Sequence, residues 1–326
     1  MKMRTITLVS ALALFANCGG DEEPSISGVD FKQEMRDFVQ GISHYAKTKN
    51  GNFVIIPQNG QEIITTNGEP DGTPDVNYLS AIDATGREDL FYGYDEDNVA
   101  TPASESDYLI DFLDIAKDNG VAVLTTDYCW DHSKMDDSYA QNKAKGYISF
   151  AAPDRELNTI PAYPATITNE NTNDITDISQ AKNFLYLINP DQFANVDAFI
   201  SAVQATNYDA LIIDAFFNEK ILSQVEVTQL KTKANGGKRL VIAYMSIGEA
   251  EDYRYYWESG WGTGNPSFIK AVNPDWAGNY KVAYWEPEWQ AIIYGSSDAY
   301  LDKLLASGFD GAYLDIIDAY EYFEEI

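Results

Sequence analysis

An alternation runs almost from end to end of this 326-residue chain and leaves few folds open to it: short apolar or β-branched runs, each followed by a helix-patterned stretch. The runs are Phe53-Val-Ile-Ile-Pro, Leu90-Phe-Tyr-Gly-Tyr, Val121-Ala-Val-Leu-Thr, Tyr147-Ile-Ser-Phe, Phe184-Leu-Tyr-Leu-Ile, Ala210-Leu-Ile-Ile-Asp, Leu240-Val-Ile-Ala-Tyr and Gly311-Ala-Tyr-Leu-Asp. Near-continuous apolar runs fit parallel strands buried on both faces. Between them, Tyr108 to Lys117 sets Leu109, Phe112, Leu113 and Ala116 on one stripe, and Asn119-Gly120 supplies a stop. Val196 to Val203 and Ala299 to Leu305 follow the same pattern, the latter closed by Ser307-Gly308. Eight strand candidates separated by helices predict an α/β fold, a (β/α)8 TIM-type barrel, as a single domain over 31–326. A ninth run, Lys281-Val-Ala-Tyr-Trp, is either a strand displacing one of the eight or a loop strand. A doubly wound sheet is the alternative, but no glycine-rich phosphate turn follows any run. Only Ala319 to Ile326 follow the last run, which is short for a barrel-closing helix.

The N-terminus reads as a targeting segment. Lys2 and Arg4 precede a short apolar stretch, Ile6 to Phe15, and Cys18 follows. The stretch is too short to span a bilayer and fits the apolar core of an export signal. With Gly19, Gly20, Asp21, Glu22 and Glu23 behind it, Cys18 is the expected lipidation site. Residues 1–18 are then a lipoprotein signal, 19–30 an acidic tether, and the protein an exported outer-membrane or cell-surface lipoprotein touching membrane only through its anchor. An ordinary cleaved signal peptide is the plainer alternative.

Two histidines, His44 and His132, are too few for a His-rich zinc site and make a Ser-His-Asp triad improbable. Cys129 follows an apolar run and reads as a buried, inert thiol. No cofactor and no metal are expected. Chemistry falls to carboxylates and tyrosines, or to oxygen-bound ions. A net charge of −29 repels nucleic acid and anionic membranes and attracts cations. The 22 tyrosines and 6 tryptophans offer flat, amphipathic rings on which sugars stack, unless they are core.

In a parallel barrel, functional groups sit where strands run out into loops. Those positions hold Gln58, Asn59, Tyr94, Asp95, Asp127, Tyr128, Asp214, the stretch Ser246 through Glu251, Asp315 and Asp318. A single acid at a strand end is commonly a cap or loop anchor, but several sharing one mouth are costly and point to catalysis. Two carboxyl groups are the minimum for glycoside hydrolysis, one donating a proton and one attacking or activating water. Arg254, close behind Glu249 and Glu251, could clamp a carboxylate, although a loop salt bridge would look the same.

MSIGEAEDYRYYW (Met245 to Trp257), YWEPEW (Tyr284 to Trp289) and GFDGAYLDIIDAYE (Gly308 to Glu321) together resemble glycoside hydrolase family 114, the endo-α-1,4-polygalactosaminidases. NFVIIPQNG (Asn52 to Gly60) and AIDATGREDLFYGY (Ala81 to Tyr94) resemble the bacterial and archaeal branch of that superfamily, once linked by label to cysteinyl-tRNA synthetase; the chain has no nucleotide- or zinc-binding motif to match that label. The resemblance implies a barrel and cleavage within a galactosamine-type polysaccharide, a cationic substrate that an acidic protein would concentrate. Asp214, Glu251, Arg254, Asp315 and Asp318 match acidic or basic positions of the family pattern. Many family members carry a glutamate two places before the last-strand aspartate, where this chain has Tyr313. Candidate catalytic residues are therefore Asp214, Glu249, Glu251 and Asp315. Asp127, Tyr128, Tyr244, Arg254, Trp285 and Asp318 are candidates for binding or orienting substrate, and Trp257 and Trp289 for stacking. A non-catalytic glycan-binding lipoprotein is the competing class. An oxygen-ligated Mg²⁺ or Ca²⁺ site on the same acids is a third.

Overall fold

The computed structural model describes residues 28–326; Cys18 and the rest of the expected signal and tether up to residue 27 lie outside the described residues. The chain divides after Asp30, and residues 31–326 are the second of its two units.

Among the described residues, eight parallel strands carry the second unit. They are β1 (Val54–Pro57), β2 (Ala84–Glu88), β3 (Ala122–Tyr128), β4 (Ile148–Ala152), β5 (Phe184–Leu187), β6 (Ala210–Asp214), β7 (Leu240–Ser246) and β8 (Gly311–Asp315). Two ladders hold them, one in the order β1-β8-β7-β6-β5 and one in the order β2-β3-β4. A parallel bridge, Gln58 to Gly86, links the ladders next to β1 and β2. No ladder joins β4 to β5 among the described residues, so hydrogen-bonded closure is absent there. The connecting stretch, 153–183, holds no α-helix, only the short 3-10 turn Ile178–Gln180. The result is a mixed α/β fold with parallel sheets, its strands in barrel order.

Most elements form where the sequence patterning places them. The helix Ala103–Asp118 buries Leu109, Ile110, Phe112, Leu113 and Ala116, and its C-terminal Asn119 and Gly120 (φ 84°) turn the chain. Asn195 caps Val196–Gln204 by accepting from the Ala198 N–H at 2.9 Å. Gly308, at φ 81°, ends Tyr300–Ser307 in the left-handed conformation that favours glycine. The amphipathic helix Phe31–Lys49 buries Met35, Phe38, Val39, Ile42 and Ala46. It packs beside the short last helix Ala319–Glu324 and beside Tyr300–Ser307, supplying cover that six terminal residues cannot. Trp285 belongs to this junction: its ring lies 5.1 Å from Phe31 and 4.7 Å from Phe323.

One expectation fails locally, and one open alternative is decided. The Leu90-Phe91-Tyr92 run is not a strand; β2 is the less apolar Ala84–Glu88 just before it. The run is instead a buried loop whose Phe91 and Tyr92 N–H groups both donate to Asp127, at 2.7 and 3.2 Å. It packs with Leu109, Leu113, Val123, Cys129 and Met135, so its hydrophobicity reflects core burial without strand pairing. The ninth run resolves as a loop strand: Asn279–Val282 joins Glu249–Glu251 and Ile269–Val272 in an antiparallel ribbon between β7 and β8.

Two glycines matter to the interior. A Cβ at Gly86 would lie 2.1 Å from the Tyr313 hydroxyl, and one at Gly248 would lie 2.2 Å from the Ile316 carbonyl oxygen. Gly86 thus makes room on β2 for the ring that β8 sends inward. Gly248 lets the exit of β7 pass against the exit of β8.

Candidate active site

The C-terminal ends of the strands open onto a cavity of about 530 Å³. Six acids line it, among them Glu88 from β2, Asp214 from β6, Asp315 from β8, and Glu251 from the ribbon after β7. Asp318, Arg254, Tyr128 and Tyr244 line it too. A second hollow of about 300 Å³ shares Asp214, Tyr253 and Arg254 with the first, which extends the cleft past β6.

Asp315 is the most perturbed of these acids. Burial is the main reason, and the negative charge of Glu88 adds to it; together they push the carboxyl up to about 8. The Tyr244 hydroxyl donates to Asp315 Oδ2 at 2.5 Å and opposes the rise without cancelling it. At neutral pH Asp315 therefore carries a proton, as a general acid must. Glu88 is held by the Tyr128 hydroxyl on one oxygen and by Asn59 Nδ2 at 3.1 Å on the other. Asn59 in turn accepts the Glu88 N–H at 3.1 Å, which pins the two strand ends together. Asp318 rises to about 6, chiefly through burial, against the pull of Arg87.

Across the cavity, Arg254 gathers two carboxylates. Its Nη1 donates to Asp214 Oδ1 at 2.9 Å, Nη2 lies 2.9 Å from Asp214 Oδ2, and Nε donates to Glu251 Oε2 at 2.6 Å. The Phe216 N–H also donates to Asp214, at 2.8 Å. Burial raises Asp214, and the Arg254 charge counters it. A planar guanidinium in this forked geometry favours the ionised form of its partners. Glu251 receives a further hydrogen bond from the Tyr253 hydroxyl at 2.6 Å, so its acceptor sites are largely occupied. Register places Asp214 beside Tyr244, and Tyr244 reaches Asp315: one tyrosine separates the two acids.

Residues 164–325 match the sequence profile of glycoside-hydrolase family GH114. That match supports a glycoside hydrolase. An uncharacterized protein of Methanocaldococcus jannaschii is 40% identical over 159 residues, covering 48% of this chain and 43% of that protein. One from Deinococcus radiodurans is 41% identical over 122 residues, or 37% of each chain. One from Thermotoga maritima is 34% identical over 143 residues, covering 44% of this chain and 41% of that protein. The chain thus spans less than half the length of each of these curated relatives. The GH114 segment contributes Asp214, Glu251, Arg254, Asp315 and Asp318 to the cavity, while Glu88, Tyr128 and Arg155 come from the part before it.

Some sequence candidates lie elsewhere. Glu249 is buried outside the cavity lining, where it accepts from Asn273 at 2.8 Å and Asn279 at 3.2 Å. Asp127, also fully buried, holds the Phe91–Tyr92 loop with one oxygen and Ser138 (2.6 Å) and Asn142 (3.1 Å) with the other; it is an anchor for loop and helix. Trp285 packs on Phe31 and Phe323 and not in the cavity. Trp289 is fully buried with its Nε1 donating to the Ile247 carbonyl at 2.7 Å, and Trp257 packs against Tyr280 with the rings tilted and their centroids 4.7 Å apart. Tyr313 sits one interior layer below Asp315, edge-on to Tyr186 with ring centroids 5.3 Å apart. Among the lining residues that went unrecognised in the sequence are Glu88, Arg155, Glu156, Tyr253 and Trp276. Glu88 was hidden by the misplaced strand, since counting from Leu90 puts the strand end at Tyr94. Among the described residues, no group of three or more His, Cys, Asp or Glu side chains is arranged to hold a metal ion.

Proposed function

We propose that this protein cleaves within an amino-sugar, galactosamine-type polysaccharide, with Asp315 as the proton donor and Asp214 as its ionised counterpart. The observation that carries this reading is the contrast between the two groups. Burial raises both carboxyls; the negative Glu88 pushes Asp315 further, to about 8, whereas the Arg254 charge and hydrogen bonds oppose the rise at Asp214. Two carboxyl groups in unlike electrostatic surroundings are what glycoside hydrolysis requires. Asp315 donates to the departing glycosidic oxygen; Asp214 attacks the anomeric carbon or activates water. Glu251, with its oxygens occupied by Arg254 and Tyr253, positions the guanidinium. The open acids of the cleft suit a sugar bearing ammonium groups.

The competing reading, a glycan-binding protein without turnover, would dispense with one of the paired acids; here both line one cavity. Release of reducing ends from partly de-N-acetylated galactosaminogalactan is the direct test. The wild type is expected to release them, and Asp214→Asn to do so on the order of a thousandfold more slowly while still binding the polymer. A wild type that binds without cleaving would sink the enzymatic reading.

We also read the eight strands as a (β/α)8 barrel. In support, the β1–β2 bridge joins the ladders, and the Tyr186 hydroxyl of β5 reaches across the interior to donate to Gln58 at 3.0 Å. Slow amide exchange across Phe184–Leu187, matching β6, is the expected result; rapid exchange there would mean an open sheet. Export and anchoring through Cys18 complete the proposal. Labelled palmitate should enter the wild type and not Cys18→Ala.

A further inference from the structure

Glu249 and Trp276 form a unit that the acid pair does not use. Trp276 is 53% exposed, yet its side chain lines the cavity, as does its neighbour Ala277. It stands on the turn 273–278 that joins the ribbon's edge strand Ile269–Val272 to its central strand Asn279–Val282. That turn is closed by the Asn273 N–H donating to the Asn279 carbonyl at 2.8 Å. The Asn273 side-chain oxygen accepts from the Asp275 and Trp276 N–H groups at 2.9 and 3.3 Å. Both asparagines that flank the turn then hand their amide groups to one carboxylate. Asn273 Nδ2 donates to Glu249 Oε1 and Asn279 Nδ2 to Glu249 Oε2, while Lys281 Nζ stands 3.5 Å from Oε1.

A buried carboxylate is costly unless every oxygen is satisfied. Here the compensation comes from the two ends of a single turn. A loop carrying an indole loses backbone freedom when it meets a ligand; a turn braced at both ends has already lost it. A flat, half-exposed indole on such a turn, at the edge of a polar cleft, is suited to the apolar face of a pyranose ring.

We infer that Trp276 is a sugar-stacking platform at one edge of the cleft, and that Glu249 is its positioning residue, acting through Asn273 and Asn279. This rests on the glycan-cleaving reading for the identity of the ligand, but not on turnover. Affinity electrophoresis of the full chain through gels containing partly de-N-acetylated galactosaminogalactan tests it. Trp276→Ala is expected to weaken retention about tenfold, and Trp276→Tyr much less. Glu249→Ala is expected to weaken it as far as Trp276→Ala does, and to add nothing further in the Trp276→Ala background. Glu249→Gln, which keeps one accepting oxygen, recovers most of the loss. Asn273→Ala serves as the variant less exposed to misfolding, because Asn279 and Lys281 still face the carboxylate, and its retention should fall while far-UV circular dichroism at the assay temperature stays that of the wild type. In the reducing-end assay these changes raise KM about tenfold and leave kcat within about twofold.

Retention of Trp276→Ala equal to that of the wild type would overturn the inference, as would a wild type that the polymer does not retain. So would a Glu249→Ala loss that persists undiminished after Trp276 is gone, since Glu249 would then act elsewhere. Cleavage that continues with retention unaltered removes the platform and leaves the hydrolase standing. Retention that depends on Trp276 with no reducing ends released does the reverse.

Discussion

Asp315→Asn is expected to abolish most of the proposed glycosidic cleavage, on the order of a thousandfold or more, and at the same time to make the protein more stable at pH 7. The first effect follows from removing the proton donor. The second follows from linkage. Asp315 sits at about 8 in the folded protein, raised by burial and by Glu88, against about 4 for a free aspartate in the unfolded chain. Below pH 4 both states hold the proton and the native side chain carries no penalty. As pH rises from about 4 to about 8, the unfolded chain releases the proton while the folded state retains it, and stability drains away. Asparagine never ionises, so its advantage is absent near pH 4 and grows to a plateau above pH 8. Full linkage is worth roughly 1.4 kcal/mol for each pH unit that separates the folded and unfolded titrations; because Asp315 opens partly onto the cavity, about 2 kcal/mol at pH 7 is the expected gain. Urea denaturation of both proteins at pH 4, 7 and 8.5 measures it. The wild-type rate should fall as pH climbs through about 8. A wild-type rate that stays flat to pH 10, or an Asp315→Asn variant no more stable at pH 8.5 than at pH 4, would remove Asp315 from the role of acid.

Lys233→Met is expected to cost about 3–5 kcal/mol, enough to unfold many domains of this size at moderate temperature. Lys233 Nζ lies 2.9 Å from Asp209 Oδ1 with both side chains fully buried. Removing the ammonium leaves a carboxylate in the interior with the Lys182 N–H and Asn171 to hold it, each at 2.8 Å. Two other pairs repeat the device. Asp83 takes the Ile55 N–H and Lys47, and Asp310 takes the Val241 N–H and Lys231. Their lysines are roughly 30% exposed, with side-chain values of 29% and 32%, so Lys47→Met and Lys231→Met should each cost under about 1 kcal/mol. Thermal or chemical denaturation of the three variants ranks them. Equal losses would show that burial is not what separates them.

Those three aspartates explain why acids alone did not reveal the site. Asp83 and Glu88 bracket β2, Asp209 and Asp214 bracket β6, and Asp310 and Asp315 bracket β8. In one-dimensional pattern the two members of each pair look alike. At the strand beginnings, each acid is paired with a lysine and accepts an N–H from a neighbouring strand or from the residues just before it. At the strand ends, the acids face a common cavity. Asp214, Glu251, Asp315, Asp318, Arg254, Tyr128 and Tyr244 were legible, because strand ends and family motifs both point to them. Asp127 and Glu249 carry the same chemistry in sequence, but the cavity excludes them. Each is surrounded by donors from distant segments, Ser138 and Asn142 for one, Asn273 and Asn279 for the other, which no local pattern announces.

Local pattern was enough to place the strands β1 and β3 to β8 and to end the helices at their stops. These depend on short-range periodicity, on capping residues a few positions apart and on composition. Three-dimensional packing was needed to end β2 at Glu88, to set Asn279–Val282 in a ribbon outside the parallel sheets, and to bring Trp276 to the cleft while Trp285 and Trp289 are packed away. Packing also selects which acid keeps its proton. Burial and the field of Glu88, 227 positions before Asp315 in the chain, set that ionisation, and neither quantity exists until the strands come together.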